Sequence, residues 1–283
     1  MARRSMRLVE FGKPFQLTKE EVPTAPKGGA VVKTEYAGVC HSDVHLMDGH
    51  YPIPLNTVLG HEIAGTVHDI EPGQDLKVGD RVAVHFRCGC GDCSRCEVGE
   101  RIACLRGVKQ DLGSTDDGGF SDYVIIPDVR LLVKEEKLTT AREAGCDGTL
   151  MWGKDVDDDT AVTEAKKICG SLGGFAAAID FVNVAATFER IEKILAEGGM
   201  HVLVGLMGVG APASVPLMPY VMSCHQMASL RVGSLPQLKD LMALVAQGKI
   251  KPPPISHHPL ENVYDVLVDL KAGKVKGRAV VKL

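Results

Sequence analysis

Four cysteines packed into fifteen residues constrain this chain more than any other feature of it. Cys90, Cys93, Cys96 and Cys104 follow the spacing C-x2-C-x2-C-x7-C within Cys88-Gly-Cys-Gly-Asp-Cys-Ser-Arg-Cys-Glu-Val-Gly-Glu-Arg-Ile-Ala-Cys104. Thiolates two residues apart in a glycine-containing loop can converge on one tetrahedral Zn²⁺, and four of them close the coordination sphere against water and substrate. The spacing therefore predicts a structural zinc lobe at about residues 88–104. Free thiols or disulfides are the alternative, but so dense a set of thiols in a reducing compartment is a liability without metal. Cys88 is a fifth cysteine, out of register with the other four.

The whole chain holds nine cysteines in 283 residues, and its basic start, Met1-Ala-Arg-Arg4, leads into no apolar signal core. That combination favours thiols or metal ligands over a disulfide framework. No run of ~18 uninterrupted apolar residues occurs, so a soluble, cytoplasmic protein with no membrane partner is expected. The net charge of −4 is spread without an acidic or basic block. This points away from nucleic acid and towards a small-molecule ligand. Because domains run to ~100–150 residues, the chain is expected to bury two cores.

Up to Lys134, short β-rich runs alternate with Gly, Pro and Asp: Ala30–Tyr36, Glu62–Ile70, Arg81–Phe86, Phe120–Ile126 and Val129–Val133. Residues 1–134 read as a β-barrel or sandwich. From Glu135 the texture changes. Helical periodicity at Thr160–Cys169 and Phe188–Leu195 alternates with apolar strands at Ala176–Val182 and His201–Leu206, the pattern of βα units on a parallel sheet. Residues 135–235 thus read as an α/β domain. Residues 236–283 supply two helices, Gln237–Ala246 and Leu260–Leu270, and a last strand at Arg278–Lys282.

A second constellation lies upstream of the lobe, in Gly38-Val-Cys-His-Ser-Asp-Val-His45 and Gly60-His-Glu62. A catalytic zinc takes about three protein ligands and keeps one position open. Cys40 and His61 supply a thiolate and an imidazole, and Glu62 is either a third ligand or a group just outside the ligand set. Asp43 can orient the His61 ring through its other nitrogen. Ser42 and His45 form a hydroxyl-to-imidazole path able to carry a proton from an alcohol to solvent. Taken singly, each has an ordinary structural role: a buried thiol, a helix cap, a surface histidine, a surface acid.

The segments G-V-C-H-S-D-x-H, G-H-E-x-x-G (Gly60–Gly65), V-G-D-R-V (Val78–Val82) and the four-cysteine lobe, in this order, resemble the zinc-dependent medium-chain alcohol dehydrogenases, and the likeness runs the length of the chain. The resemblance implies a GroES-like β-barrel catalytic domain plus a Rossmann-type nucleotide-binding domain, with the C-terminal helices and strand returning to the catalytic domain. It implies that Cys40 and His61 ligate a catalytic zinc, that Ser42 and His45 relay the proton, and that the lobe holds its own zinc. It places His41 near a cofactor pyrophosphate. Gly205 and Leu206 in Val204-Gly-Leu206, and Val232, resemble nicotinamide-contacting positions, while Arg278 resembles a phosphate-binding arginine.

The family's G-x-G-x-x-G turn with its flanking strands is absent. The chain passes from Val129–Val133 directly to Lys134-Glu-Glu-Lys137, so a segment on the order of 30 residues is missing there, as judged by the size of one βαβ unit. Gly205-Leu-Met-Gly-Val-Gly210 has the glycine spacing reversed. Glu135 and Glu136 would repel a phosphate from the helix that follows. The family's further zinc ligand also falls in the missing stretch. Cys146, Asp147, Cys169, Cys224 and His225 are conceivable substitutes, and spacing selects none. The expected function is oxidation of an alcohol with hydride transfer to NAD or NADP. The alternative is a shortened, non-catalytic zinc-binding variant. Zinc and a nicotinamide dinucleotide are the expected cofactors, and the family's habit implies a homo-oligomer.

Overall fold

The computed structural model describes residues 2–71, 75–107, 110–134, 152, 157–169, 173–205, 212, 214–250 and 252–283. In chain order the elements are β1 (Ala2–Leu8), β2 (Gln16–Glu21), β3 (Ala30–Gly38), α1 (His41–Met47), β4 (Thr57–Val58), β5 (Glu62–Ile70), β6 (Arg81–Val84), α2 (Ser94–Glu97), β7 (Tyr123–Ile126) and β8 (Leu132–Lys134). They continue with α3 (Asp158–Cys169), β9 (Phe175–Asp180), α4 (Ala185–Ile194), β10 (Leu195–Leu203), α5 (Leu217–Met222), β11 (Gln226–Ser229), α6 (Leu235–Ala246), β12 (Ile255–Pro259), α7 (Val263–Lys271) and β13 (Arg278–Lys282). Two compact units result, one of residues 1–143 with 233–283 and one of residues 144–232.

The first unit is the GroES-like barrel, built on a sheet of order β12-β13-β3-β5-β6-β8 with β7 paired to β3. A smaller sheet, β2-β1-β4, accompanies it. β3 is central, antiparallel to β5, β7 and β13. Its Ala30-Val31-Val32 run is buried on both faces, as such a position requires. Val32, Ile63, Val67, Val82, Val124 and Ile126 fill the barrel interior. On the other side, Val44, Leu46 and Met47 of α1 pack with Val263, Val266 and Leu267 of α7 in a second cluster. Each such side chain contributes roughly 1.5–3 kcal/mol on burial.

β1 is a strand that alternation does not reveal, because its inward positions include arginines. Arg3 and Arg7 are buried, and both reach Asp117 and Glu20. The Arg7 guanidinium forks onto Asp117 with two bonds of 3.0 Å. The strand expected at Phe120–Ile126 begins only at Tyr123. The run Val129–Val133 opens as a 3₁₀ turn over Val129–Leu131, since the Asp128 carboxylate accepts the Arg130 N–H and caps it at 2.9 Å.

The second unit is α/β and Rossmann-type. Its described strands form a parallel sheet of order β11-β10-β9, with α4 crossing between β9 and β10. Asp180 ends β9 and pins the crossover, accepting the Val182 and Asn183 N–H groups at 2.8 Å and the Thr187 hydroxyl at 2.7 Å. The strand expected at His201–Leu206 is observed as Leu195–Leu203. Glu135, Glu136, Cys146, Asp147 and Leu206 lie outside the described residues, as does most of Gly205–Gly210.

Candidate active site

Strand register brings the upstream constellation together. Gly38, the last residue of β3, pairs with Glu62 on β5 and with Val280 on β13. Cys40 follows in extended backbone and leads into α1. A Cβ at Gly38 would collide with the Glu62 carboxylate, so glycine there lets Glu62 cross to Arg278 of β13. Gly60 sits at φ +90°, a conformation costly for other residues, and a Cβ on it would meet the Phe120 ring at 2.7 Å. This turn aims His61 back at Cys40.

Asp43 is the hub of the arrangement. It is fully buried at 0% exposure, and its carboxylate accepts the Cys40 N–H at 3.0 Å and the Gly60 N–H at 3.2 Å. Its Oδ1 also lies 3.3 Å from His61 Nδ1. One carboxylate therefore fixes both chain segments and one nitrogen of the imidazole, leaving the other nitrogen for a metal. Burial pulls the His61 imidazole down, but Asp43 outweighs it and holds the ring well above its ordinary value. Ligand atoms of Cys40, His61 and Glu62 all lie within 4.8 Å of one another. A soft thiolate, an imidazole with an oriented second nitrogen and a carboxylate suit zinc. Glu62 is already engaged by the Arg278 guanidinium, which weakens it as a donor relative to Cys40 and His61.

The remaining upstream residues lie on or beside α1. Ser42 is half-buried, with Oγ 3.7 Å from Cys40 Sγ. His45, one turn on, is half-buried as well, and its Nδ1 is 3.1 Å from Nδ1 of His50. His41 is exposed. Burial, then the neighbouring His50 and His41, push the His45 imidazole below its ordinary value. Two neighbours escape sequence reading. Phe86 places its ring centroid 5.1 Å from that of His61, and His50 pairs with His45. The Phe86 contact is tertiary and the His50 contact depends on the turn at Gly49, and neither residue belongs to a spaced motif.

Of the cofactor positions, Gly205 lies just past β10, where its N–H donates to Asp180 O at 3.0 Å and its O accepts from Asn183 Nδ2 at 2.6 Å. Val232 closes the second unit and is 40% exposed. Arg278 belongs to the first unit. Of the substitute ligands, Cys169, Cys224 and His225 join no metal-capable cluster among the described residues.

The lobe is the second metal-capable group. The four Sγ atoms lie within 4.8 Å of one another, and Cys90 and Cys96 are 3.9 Å apart. A tetrahedron with ~2.3 Å Zn–S bonds has sulfur separations of ~3.8 Å, so the cage fits the ion. Backbone N–H groups prepare the thiolates. Those of Cys96 and Leu105 bring the Cys93 thiol down to about 6. Burial raises Cys104, but the N–H groups of Arg106 and Cys90 outweigh it and lower that thiol. Cys90 goes the other way, to about 12, through Asp92. Cys88 takes no part: it is buried in the barrel core, and burial pushes its thiol to about 12. Arg101, 1% exposed, moors the lobe by donating to Cys88 O at 2.6 Å and to Asp128 at 2.9 Å.

Comparison with known proteins identifies the family. The family model of the alcohol dehydrogenase GroES-like domain matches residues 26–136, and that of zinc-binding dehydrogenase matches residues 131–247. The chain is 30% identical to a NAD-dependent alcohol dehydrogenase of Sulfolobus acidocaldarius across 99% of each chain. It is 28% identical to an alcohol dehydrogenase of Geobacillus stearothermophilus, across 97% of this chain and 98% of that one. The first alignment runs over 347 positions against 283 residues, so it passes over positions without counterpart here. A thermostable alcohol dehydrogenase of Pyrobaculum aerophilum, solved with cobalt and zinc bound, shares the fold with a TM-score of 0.83 at 20% identity over 100% of both chains. With its barrel and its α/β unit both matched and a relative aligned end to end, this chain belongs to the zinc-dependent medium-chain alcohol dehydrogenase family.

Proposed function

We propose that the chain oxidises a small alcohol to an aldehyde or ketone at the Cys40–His61 cluster, with Ser42 and His45 taking away the hydroxyl proton and NAD or NADP accepting the hydride. Family membership makes it an alcohol dehydrogenase-like oxidoreductase that uses zinc and a nicotinamide dinucleotide. The relatives' activities favour this reading over a non-catalytic variant. The observation that carries the site assignment is Asp43, whose buried carboxylate holds Cys40, Gly60 and His61 together.

Bound there, zinc supplies a Lewis acid for the alcohol oxygen, and the nicotinamide supplies the hydride acceptor. The chain supplies the rest. Cys40 and His61 hold the metal, and Glu62, braced by Arg278, lies at the edge of the ligand set. Ser42 accepts the hydroxyl proton and hands it to His45, whose lowered basicity keeps the ring neutral and ready to receive it. Phe86 walls the space beside His61. Cys90, Cys93, Cys96 and Cys104 hold the structural zinc. His41, Gly205, Leu206 and Val232 are assigned to the cofactor. Arg278 retains N–H donors beyond those on Glu62 with which to meet a phosphate. Among the described residues no helix is long and apolar enough to cross a membrane. The cytoplasm is the proposed location, in keeping with cysteines assigned to zinc rather than to disulfides. A homo-oligomer is supported by the exposed apolar side chains of Leu217, Met218, Val221 and Met222 on α5.

The test is a titration of zinc-loaded protein with NADH, followed by cofactor fluorescence, and then an assay of simple alcohols against a metal-stripped control. Saturable binding with zinc-dependent turnover is expected. No fluorescence change at about millimolar cofactor, the upper range of ordinary KM values, with turnover no higher than the control, overturns the reading.

A further inference from the structure

Beside His45, the structure holds a second imidazole. The turn after α1 sets it there. Gly49 at φ +77° reverses the chain, and the His50 N–H then donates to His45 O at 2.9 Å. The His50 ring is thus held over His45 by backbone, with Nδ1 facing Nδ1 at 3.1 Å. At that separation one ring must donate and the other accept, so a single proton lies between them. His50 is exposed, whereas His45 is half-buried.

We propose that His50 is the outer end of the proton path, taking the proton from His45 and releasing it to water or buffer. This rests on the alcohol-oxidising reading of the Cys40–His61 cluster. The ring of His45 receives the alcohol-derived proton from Ser42 at one nitrogen and gives up the proton on Nδ1 to Nδ1 of His50. His50 then loses its own Nε2 proton to solvent, while the hydride leaves with the cofactor. Both imidazoles end neutral, with the opposite tautomers.

The surroundings favour passage over storage of charge at His45. Facing its ring are His41 one turn earlier, His50, the edge-on ring of Tyr51 at 6.1 Å and Asp48 at the end of α1. The single acid among these is tied to Lys271 of α7 at 2.6 Å. Burial above all opposes a lasting imidazolium at His45, and exit through the exposed His50 relieves it. His50 acts through His45, so it is a positioning and exit residue that never touches the substrate.

The experiment compares wild type with His50→Gln in alcohol oxidation at low buffer concentration, with imidazole added back, and follows the His45 ring by NMR titration in both proteins. Expected are a fall in kcat of about tenfold or more, within reach of general acid–base contributions, an unchanged KM for alcohol, and recovery with imidazole. The His45 titration midpoint should move in the variant as its ring partner is lost. If kcat in His50→Gln equals that of an active wild type, or falls without rescue by imidazole, or if the His45 midpoint does not move, the proposal is overturned while the alcohol-oxidising reading stands. A wild type without turnover overturns that reading, and the exit path with it.

Discussion

The lobe and the Cys40–His61 cluster are both proposed zinc sites, yet they are assembled in opposite ways. The lobe draws four thiols from fifteen consecutive residues, and backbone N–H groups within the same loop prepare the sulfurs. The upstream cluster gathers its donors from the end of β3 and the start of β5, and it coheres only because a buried carboxylate on α1 ties both segments. A local cage needs little from the fold beyond a mooring. A cage made from distant segments depends on one interior group, and on register that the whole sheet sets.

Breaking the lobe should produce the largest effect. Cys96→Ser removes a buried ligand and is expected to cost about 4 kcal/mol or more, the range reached when a structural metal is lost. Calorimetric unfolding with zinc analysis checks this, and one zinc should remain upstream. Next is the mooring. Asp128→Ala leaves the buried Arg101 guanidinium without its carboxylate and should cost about 2–3 kcal/mol, at or below the range for broken buried pairs because Asp128 is partly accessible.

The same group gives the pH dependence. Burial raises Asp128, but Arg130 and Arg101 outweigh it and hold the carboxyl below its ordinary value. Its contribution is therefore complete above the unfolded value of 3.8 and is lost as pH falls through the depressed folded value. Unfolding midpoints of wild type and Asp128→Ala should converge as acid is added, and parallel curves would count against the mooring.

At the upstream cluster, Asp43→Asn is expected to weaken metal binding about 10–100-fold, the usual cost of losing the group that orients a ligating histidine. The lobe zinc should stay, as a metal titration against a chelator would show. Smallest is Cys88→Ala, with zinc content unchanged and stability lower by about 1 kcal/mol. Loss of a zinc in that variant would make Cys88 a ligand after all.

The contrast between the two sites also explains what the sequence discloses. The lobe is legible because its ligands, spacing and glycines are contiguous. Cys40, His61, Ser42 and His45 are legible as family positions, and Asp43 as the partner of His61. Its grip on the backbone of Cys40 and Gly60 is not legible, since it depends on the fold bringing α1 to the Gly60 turn. Phe86 escapes for the same reason, and His50 because its place over His45 depends on the turn at Gly49. The start of the chain reads only as basic, because Arg3 and Arg7 break the apolar alternation, and its antiparallel pairing with β2 shows it to be a strand whose arginines are buried against Asp117 and Glu20. In the second unit, βα alternation marks the class of fold, while the start of β10 shifts to Leu195 because its pairing with β9 breaks at an irregularity around Glu197-Gly-Gly199 and resumes at Met200.

Zinc content per chain, measured for wild type, Asp43→Asn and Cys96→Ser after identical dialysis against a weak chelator, tests most directly that the two cages are independent. Two zinc ions are predicted in wild type, with the lobe ion alone kept in Asp43→Asn and the upstream ion alone kept in Cys96→Ser. A single zinc in wild type, or loss of both ions together in either variant, would contradict it.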